Sequence, residues 1–253
     1  MTFVEFASLF GMAALLAIAA LTLHKARRTH LVALDLATRV KATQREVATL
    51  YGQIQAFHSL AGLLRLPWPL PSLRGWAGSP DFLLEIAKHV LEAKPGVVME
   101  CSSGSSTLVL ARCLQLNGAG HVYSLEHEPQ FAQQTRHQLR LQQLETWATV
   151  VDAPLRGLAG TEGRLWYSLD NLPPAARTIA MLVVDGPPAE LCAEARLPAV
   201  PRLMPYLAEH CTVFLDDADR PDERAAVRAW LEEFPEFSSK VVPCEKGCVR
   251  LDR

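Results

Sequence analysis

The stretch V-V-M-E-C-S-S-G-S-S-T, from Val97 to Thr107, decides the fold of this chain. Its first three residues form a short apolar run, which is typical of a strand buried in a sheet. The run ends at Glu100, and a turn of small residues then leads into an apolar helix predicted over Leu108–Leu116. Small residues let a ligand approach the backbone, and the N-terminus of a helix offers unpaired N–H groups. The stretch therefore predicts a strand, a ligand-binding turn and a helix in succession.

The same alternation continues on both sides of this stretch. Further buried strands are predicted at His121–Leu125, Ala148–Val151, Ile179–Val184 and Thr212–Leu215. Helices are predicted at Pro80–Glu92, Gln130–Leu144 and Glu223–Phe234. Strands that alternate with helices predict an α/β fold, with a parallel sheet and helices on both of its faces.

An acid follows each of the five predicted strands. These acids are Glu100, Glu126, Asp152, Asp185 and Asp216. The carboxyl ends of parallel strands meet at one edge of the sheet, where the ligand crevice of such folds lies. We therefore expect one rim lined with carboxylates. Glu126, after the second strand, is placed to accept both hydroxyls of a ribose, as the corresponding acid does in dinucleotide folds.

Five segments together resemble class I S-adenosylmethionine-dependent methyltransferases. They are V-V-M-E-C-S-S-G-S-S-T, V-Y-S-L-E-H-E-P, V-V-D-A-P-L, L-V-V-D-G-P-P and F-L-D-D-A-D-R-P-D-E-R. The last two are similar, more narrowly, to a bacterial small-molecule and O-methyltransferase-like branch. The resemblance extends from about Trp76 to Val249. It implies a Rossmann-like sheet of seven strands with a reversed last strand, in which Phe237–Val242 and Cys248–Leu251 form the closing hairpin.

The resemblance also implies a role for individual residues in binding S-adenosylmethionine. The methionine end would be held by Glu100, Ser102, Ser103, Gly104 and Ser106. Glu126 would bind the ribose, and Asp152 with the Ala153 backbone would face the adenine. The family usually has Gly where this chain has Ser102, a residue that tolerates positive φ poorly. A catalytically inactive methyltransferase-like domain, acting as a binding or assembly module, therefore remains an alternative to an enzyme.

Asp185, Asp216 and Asp217 resemble the metal ligands of metal-dependent O-methyltransferases. Three carboxylates suit Mg²⁺ or another divalent cation, and Asp185 is then the catalytic candidate. Those enzymes usually carry a Lys three residues past the first acid, where this chain has Pro188. Alternatively, Asp216 and Asp217 cap the next helix or pair with Arg220.

The resemblance implies methyl transfer to the oxygen of a small-molecule or glycan-type hydroxyl. No residue is identified as the general base. His127 would lie near the adenosine side and His210 before the fifth strand, and each is expected to be a surface or packing histidine. Arg196 and Arg220 are expected on the solvated surface, with the steering of an anionic substrate as the alternative. Trp76, Trp166 and Tyr167 either line the acceptor pocket or belong to the core.

The N-terminal residues predict a membrane anchor over 1–29. Phe3–Leu23 carries a single charge, Glu5, and is long enough to cross a bilayer as a helix. Lys25, Arg27 and Arg28 follow it, which places the C-terminal domain in the cytoplasm. The alternative is a cleaved signal peptide, which would need its basic residues before the apolar run.

A helical stalk is predicted over 30–66. Apolar or small residues recur at alternating steps of three and four between Ala33 and Leu64, which favours a coiled coil and a homo-oligomer. The alternative is a single amphipathic helix on the domain or the membrane surface. Three prolines then predict a linker over 67–75, followed by the methyltransferase-like domain at 76–253.

The overall composition excludes other classes of protein. Of the 253 residues, 49% are hydrophobic, which is enough for a sizeable core and excludes a disordered chain. The net charge of -2 gives no electrostatic reason to expect nucleic acid. Six cysteines are too few for a disulfide scaffold, and we expect them to be reduced.

Overall fold

The computed structural model describes residues 3–73, 75–158, 160 and 163–253, and of residues 3–10 and 45–46 the backbone alone. The chain forms two compact units, Met1–Tyr51 and Gly52–Arg253. Helix α1, Phe3–Leu64, begins in the first unit and ends in the second.

The first unit consists of the earlier part of α1. No helix in the described part of the chain has an apolar stretch long enough to cross a membrane. The predicted span, Phe3–Leu23, begins among residues whose side chains lie outside the described ones, so the anchor stays a prediction. The predicted stalk is helical as far as Leu64, and its pairing into a coiled coil also stays a prediction.

The last turns of α1 belong to the core of the second unit. Ala56, Leu60 and Leu64 are buried there, and the two leucines are fully inaccessible to solvent. Arg112 also donates hydrogen bonds to the carbonyl oxygens of Leu64 (2.9 Å) and Arg65 (3.2 Å). The globular unit therefore begins before the linker predicted at 67–75, because these turns carry an apolar face that the core covers.

The main sheet has seven strands in the order β3-β2-β1-β6-β7-β9-β8. They are β1 Val97–Cys101, β2 His121–Glu126, β3 Ala148–Asp152, β6 Ile179–Val184, β7 Leu207–Asp216, β8 Ser238–Val242 and β9 Cys248–Asp252. Strand β9 runs antiparallel to both of its neighbours, and the pairs from β3 to β7 are parallel. This arrangement confirms the predicted Rossmann-like sheet, its reversed last strand and its closing hairpin. A separate hairpin of β4 Leu155–Gly157 and β5 Leu165–Tyr167 was not predicted.

Helices pack on both faces of the sheet, as predicted. They are α2 Pro80–Ala93, α3 Ser105–Asn117, α4 Pro129–Leu141, the short α5 Ala199–Leu203 and α6 Pro221–Glu233. Pro80 starts α2 as predicted. The preceding residue, Ser79, is of a type that often caps helices, but its hydroxyl makes no capping hydrogen bond. The neighbouring Asp81 carboxylate accepts a hydrogen bond from the N–H of Phe82 instead.

The two faces of the sheet form separate apolar clusters. Val98 belongs to the cluster that contains α2 and α3, whereas Met99 and Cys101 belong to the cluster that contains Trp166 and Trp230. Because side chains alternate along a strand, Glu100 faces the same side as Val98, beneath the start of α3. In this orientation the Glu100 carboxylate contacts the first turn of α3.

Candidate active site

A cavity of about 650 Å³ lies at the carboxyl edge of the parallel strands. It is lined by the turn after β1, the ends of β2, β6 and β7, parts of α4, and the segment before α2. The volume falls within the range of sites that bind small molecules. The predicted crevice is therefore present at the predicted edge.

The turn Ser102–Ser106 forms one wall of the cavity, as predicted. The N–H of Ser102 donates to the Leu125 carbonyl (3.0 Å), which fixes the turn against β2. Ser102 has a φ of 113°, in the region that favours glycine. The position that is usually Gly in the family thus keeps that conformation here, with a side chain present.

Replacing Ser102 by Gly is expected to stabilise the domain by about 1 kcal/mol, because glycine adopts this φ without strain. Urea unfolding of the two proteins measures the difference. Ser106→Gly is the control, since Ser106 lies in the first turn of α3, where glycine relieves no strain and the replacement should not stabilise the domain. A loss of stability in Ser102→Gly would contradict the strain at this position.

Glu126 lines the cavity, with its carboxylate fixed in orientation. One oxygen accepts hydrogen bonds from the N–H (3.1 Å) and hydroxyl (2.8 Å) of Ser103, and the other accepts one from the N–H of Glu128 (3.0 Å). Burial opposes ionisation, but hydrogen bonds from His127, Glu128 and Ser103 outweigh it and lower the pKa of Glu126. An ionised, oriented carboxylate suits the hydroxyls of a ribose.

Glu100 lies outside the cavity, which differs from its predicted contact with the methionine end. Its carboxylate is fully buried and accepts hydrogen bonds from Thr107 and Ser124, both at 2.6 Å. Thr107 in turn accepts from the N–H of Gly104 at 3.0 Å. Glu100 therefore supports the turn from below, because the strand alternation directs it towards α3.

Asp152 and Ala153 are also not among the described residues that line the cavity. Asp152 pairs with Arg136 at 2.8 Å, and the N–H of the buried Ala153 donates to the Glu126 carbonyl at 2.7 Å. Both groups have partners within the protein, and their predicted contact with adenine stays a prediction.

Asp185, Asp216 and Asp217 come together as predicted. One carboxylate oxygen from each lies within 4.8 Å of the others. Helix α6 begins only at Pro221, so neither Asp216 nor Asp217 caps it, and the capping alternative is wrong. Asp217 pairs with Arg220 at 3.1 Å, as the other alternative proposed.

Arg196 lies inside this acid cluster, with its side chain only 5% exposed. Its guanidinium donates to the carboxylates of Asp217 (2.8 Å) and Asp185 (3.3 Å). It also donates to the backbone carbonyls of Asp216 (2.9 Å) and Asp185 (3.1 Å). The expected surface position of Arg196 is therefore wrong. Its segment has no periodicity that indicates burial.

The donor set suits a divalent cation, but its arrangement does not. Carboxylate oxygens are the ligands that Mg²⁺ prefers. Two of the three carboxylates, however, already accept hydrogen bonds from Arg196. A divalent ion bound to the same oxygens would lie against the guanidinium, and the two positive charges would repel each other in a buried site. As arranged here, the cluster does not fit an ion and Arg196 together.

Burial changes the ionisation of two members of the cluster. It raises the pKa of Asp185 to about 6, in spite of the opposing charge of Arg196. Burial, together with the charges of Asp185 and Asp217, raises the pKa of Asp216 to about 8. The folded protein therefore keeps protons that the unfolded chain releases above about pH 4.

We expect the free energy of unfolding to fall as the pH rises from about 4 to about 8, because the native state binds more protons in this window. Asp216→Asn should flatten the upper part of this slope, while its amide oxygen keeps the hydrogen bond from the N–H of Asp217. Urea unfolding at several pH values measures both slopes. Glu232→Gln, an exposed change on α6, should retain the full slope. Equal slopes in wild type and Asp216→Asn would contradict the prediction.

Other residues of the cavity were not assigned a clear role from the sequence. Tyr167 lines it, and its buried hydroxyl has no hydrogen-bond partner among the described residues. Trp76 and Phe131 also line it, with ring centroids 6.3 Å apart. Trp166 belongs to the core, and His127 lines the cavity next to Glu126. No local motif marks these residues, because folding alone brings them to one cavity.

The cavity also explains a glycine after β6. A Cβ added to Gly186 would lie 2.5 Å from the Tyr167 hydroxyl and 3.1 Å from the Cys101 carbonyl. A side chain at this position would therefore push Tyr167 or the end of β1 away. Gly186 keeps the Asp185 loop close to the turn after β1.

Comparison with known proteins agrees with this geometry. Residues 100–218 match the model of a methyltransferase domain. A comparison with curated proteins finds no significant match. Solved structures share the fold at low sequence identity, among them the three that follow.

A methyltransferase from Geobacter sulfurreducens is 16% identical, with a TM-score of 0.52 over 83% of this chain and 97% of that chain. The O-methyltransferase TomG of Streptomyces achromogenes, solved in complex with SAM, is 18% identical, with a TM-score of 0.51 over 78% and 88%. The SAH-bound methyltransferase PaMTH1 of Podospora anserina is 15% identical, with a TM-score of 0.51 over 78% and 86%.

The family match and the strand order lead to the same conclusion. The match begins at Glu100 and ends at Ala218, so it covers the turn after β1, Glu126 and the acid cluster. These are the parts that line or support the cavity. Residues 100–218 are thus similar to a methyltransferase-domain family, and the chain shares the Rossmann-like fold of solved S-adenosylmethionine-dependent methyltransferases.

Proposed function

We propose that this protein transfers a methyl group from S-adenosylmethionine to the oxygen of a small-molecule or glycan-type hydroxyl. The observation that carries the proposal is one cavity with the ionised Glu126 and the small-residue turn on one side and Asp185 and Asp217 on the other. In the sheet order, β1 and β6 lie between β2, which ends at Glu126, and β7, which Asp217 follows. A cofactor and an acceptor would thus meet above β1 and β6.

Different residues of the cavity would bind different parts of the cofactor and orient the two reactants. S-adenosylmethionine would supply an electrophilic methyl group. Glu126 would accept hydrogen bonds from its ribose, and the N–H groups at the start of α3 would face its methionine end. Holding the two reactants in line accounts for most of the acceleration expected of such a transfer.

Asp185 is the proposed proton acceptor. It lines the cavity, and its pKa of about 6 suits a group that takes a proton near neutral pH. The acceptor hydroxyl would donate a hydrogen bond to Asp185 and pass its proton to this carboxylate while the oxygen forms the new bond to carbon. The thioether leaves with the electron pair of the bond that breaks.

The proposal is tested in two steps, binding and then transfer. Calorimetry with S-adenosylmethionine should show one binding site. A screen with radiolabelled methyl donor on small-molecule and glycan fractions should then show labelled product, and Asp185→Asn should bind the cofactor but lose transfer. A protein that binds without transferring to any fraction would support the inactive binding module instead. A folded protein that does not bind would overturn both.

We propose further that the N-terminal residues anchor the protein in a membrane, with the domain in the cytoplasm. The apolar run Phe3–Leu23 and the basic residues after it support this. The full chain should stay with membranes after an alkaline or high-salt wash, whereas residues 52–253 should be soluble. Release of the full chain by either wash would show peripheral attachment instead. Sedimentation of the solubilised chain as a monomer would exclude the coiled coil.

A further inference from the structure

The acid cluster already contains a cation that belongs to the protein. Arg196 is bonded to the side chains of Asp185 and Asp217 and to the backbone carbonyls of Asp185 and Asp216. Its Nε also lies 3.7 Å from a carboxylate oxygen of Glu223. All these groups are largely buried, so water screens their charges only weakly.

The guanidinium of Arg196 is a fixed cation in the acid cluster. It stays charged at any pH at which the protein is folded, and it cannot dissociate as a metal ion can. Its planar donors hold several oxygens in a fixed arrangement. Here the donors join the loop after β6, through Asp185, to the last residue of β7, Asp216, and to Asp217 after it.

We propose that Arg196 takes the place of a divalent cation in this cluster, and that the site works without a metal. Arg196 acts as a positioning residue: it orients Asp185 and Asp217 at the cavity and offsets their charge. Its role in methyl transfer rests on the proposed function, whereas its exclusion of metal ions does not.

The same contacts predict what happens when the guanidinium is removed. Arg196→Met keeps much of the side-chain volume but removes the guanidinium from the middle of the three carboxylates, of which only Asp217, within the described residues, keeps a cationic partner, Arg220. Three converging carboxylates are a ligand set for a hard divalent ion. The variant should therefore acquire a metal site that the natural protein lacks.

The experiment measures Mn²⁺ binding by electron paramagnetic resonance, and thermal unfolding with Mn²⁺, Mg²⁺ or chelator. It needs neither cofactor nor acceptor. The natural protein should show no stoichiometric Mn²⁺ binding and the same unfolding midpoint in all solutions. Arg196→Met should bind Mn²⁺ at least about tenfold more tightly and unfold at a higher temperature when Mn²⁺ is present. Adding Asp217→Asn to Arg196→Met should remove that gain.

Stoichiometric Mn²⁺ binding by the natural protein, abolished by Asp217→Asn, would overturn the proposal. This measurement decides the question even if Arg196→Met does not fold. If Arg196→Met folds, a failure to acquire Mn²⁺ binding would also count against it.

Activity supplies an independent readout once an acceptor is known. Transfer by the natural protein should be unchanged in excess chelator. Arg196→Lys should retain more kcat than Arg196→Met while KM for S-adenosylmethionine stays similar, because Lys keeps the charge but has fewer fixed donors. Loss of activity in chelator, restored by Mg²⁺, would refute the metal-free site. A protein without any methyl transfer would refute the proposed function but leave the Mn²⁺ result to stand.

Discussion

Replacing Glu126 by Ala is expected to lower the affinity for S-adenosylmethionine at least about tenfold, since two charge-assisted hydrogen bonds to the ribose would be lost. The structure adds a second reason. Glu126 holds Ser103 through its N–H and its hydroxyl, so its loss also frees the turn that forms one wall of the cavity. Calorimetric titration of the folded variant measures the change.

Two controls separate the contact with the ribose from the effect on the turn. Ser103→Ala removes one hydrogen bond to Glu126 but keeps the carboxylate, and it should weaken binding less than Glu126→Ala does. Glu128→Gln changes a neighbouring exposed carboxylate and should leave affinity unaltered. Unchanged affinity in a folded Glu126→Ala protein would refute the assignment of Glu126.

Removing the last turns of α1 is expected to destabilise the domain by at least about 3 kcal/mol, because Leu60 and Leu64 each bury a full side chain worth about 1.5–3 kcal/mol. A fragment of residues 72–253 should therefore unfold at lower urea than residues 52–253. Arg112 in the shorter fragment would also lose the two carbonyl groups that it binds.

A single substitution serves as the matched comparison. Leu60→Ala within residues 52–253 should cost about 2–5 kcal/mol without shortening the chain. Tyr51→Ala, in an exposed position just before the fragment, should leave the stability of the full chain unchanged. Equal urea midpoints for the two fragments would show that the domain begins at the linker, where the prolines predict it.

Local patterns predicted the sheet well. The strands at β1, β2, β3 and β6 lie within one or two residues of their predicted bounds, because each is an apolar run with a turn or an acid at its end. The hairpin of β4 and β5 was missed, since strands of three residues carry too little pattern to detect.

Some of the predicted site residues come together in the structure, and others do not. Strand ends placed Glu126, Asp185, Asp216 and Asp217 at one edge of the sheet, and the structure brings the three aspartates together. The position of a residue at a strand end does not predict whether its side chain points into the cavity. Glu100 follows the strand alternation into the protein beneath α3, and Asp152 pairs with Arg136, so neither reaches the cavity.

The sequence by itself determined the order of strands and helices, the turn after β1 and the edge where the acids gather. These features depend on the local periodicity of apolar residues and on the rule that parallel strands end at one edge. Only the tertiary structure decided that α1 ends inside the domain and that Arg196 lies among the aspartates. Both depend on contacts between segments far apart in the chain, and the burial of an arginine depends on partners that no local pattern names.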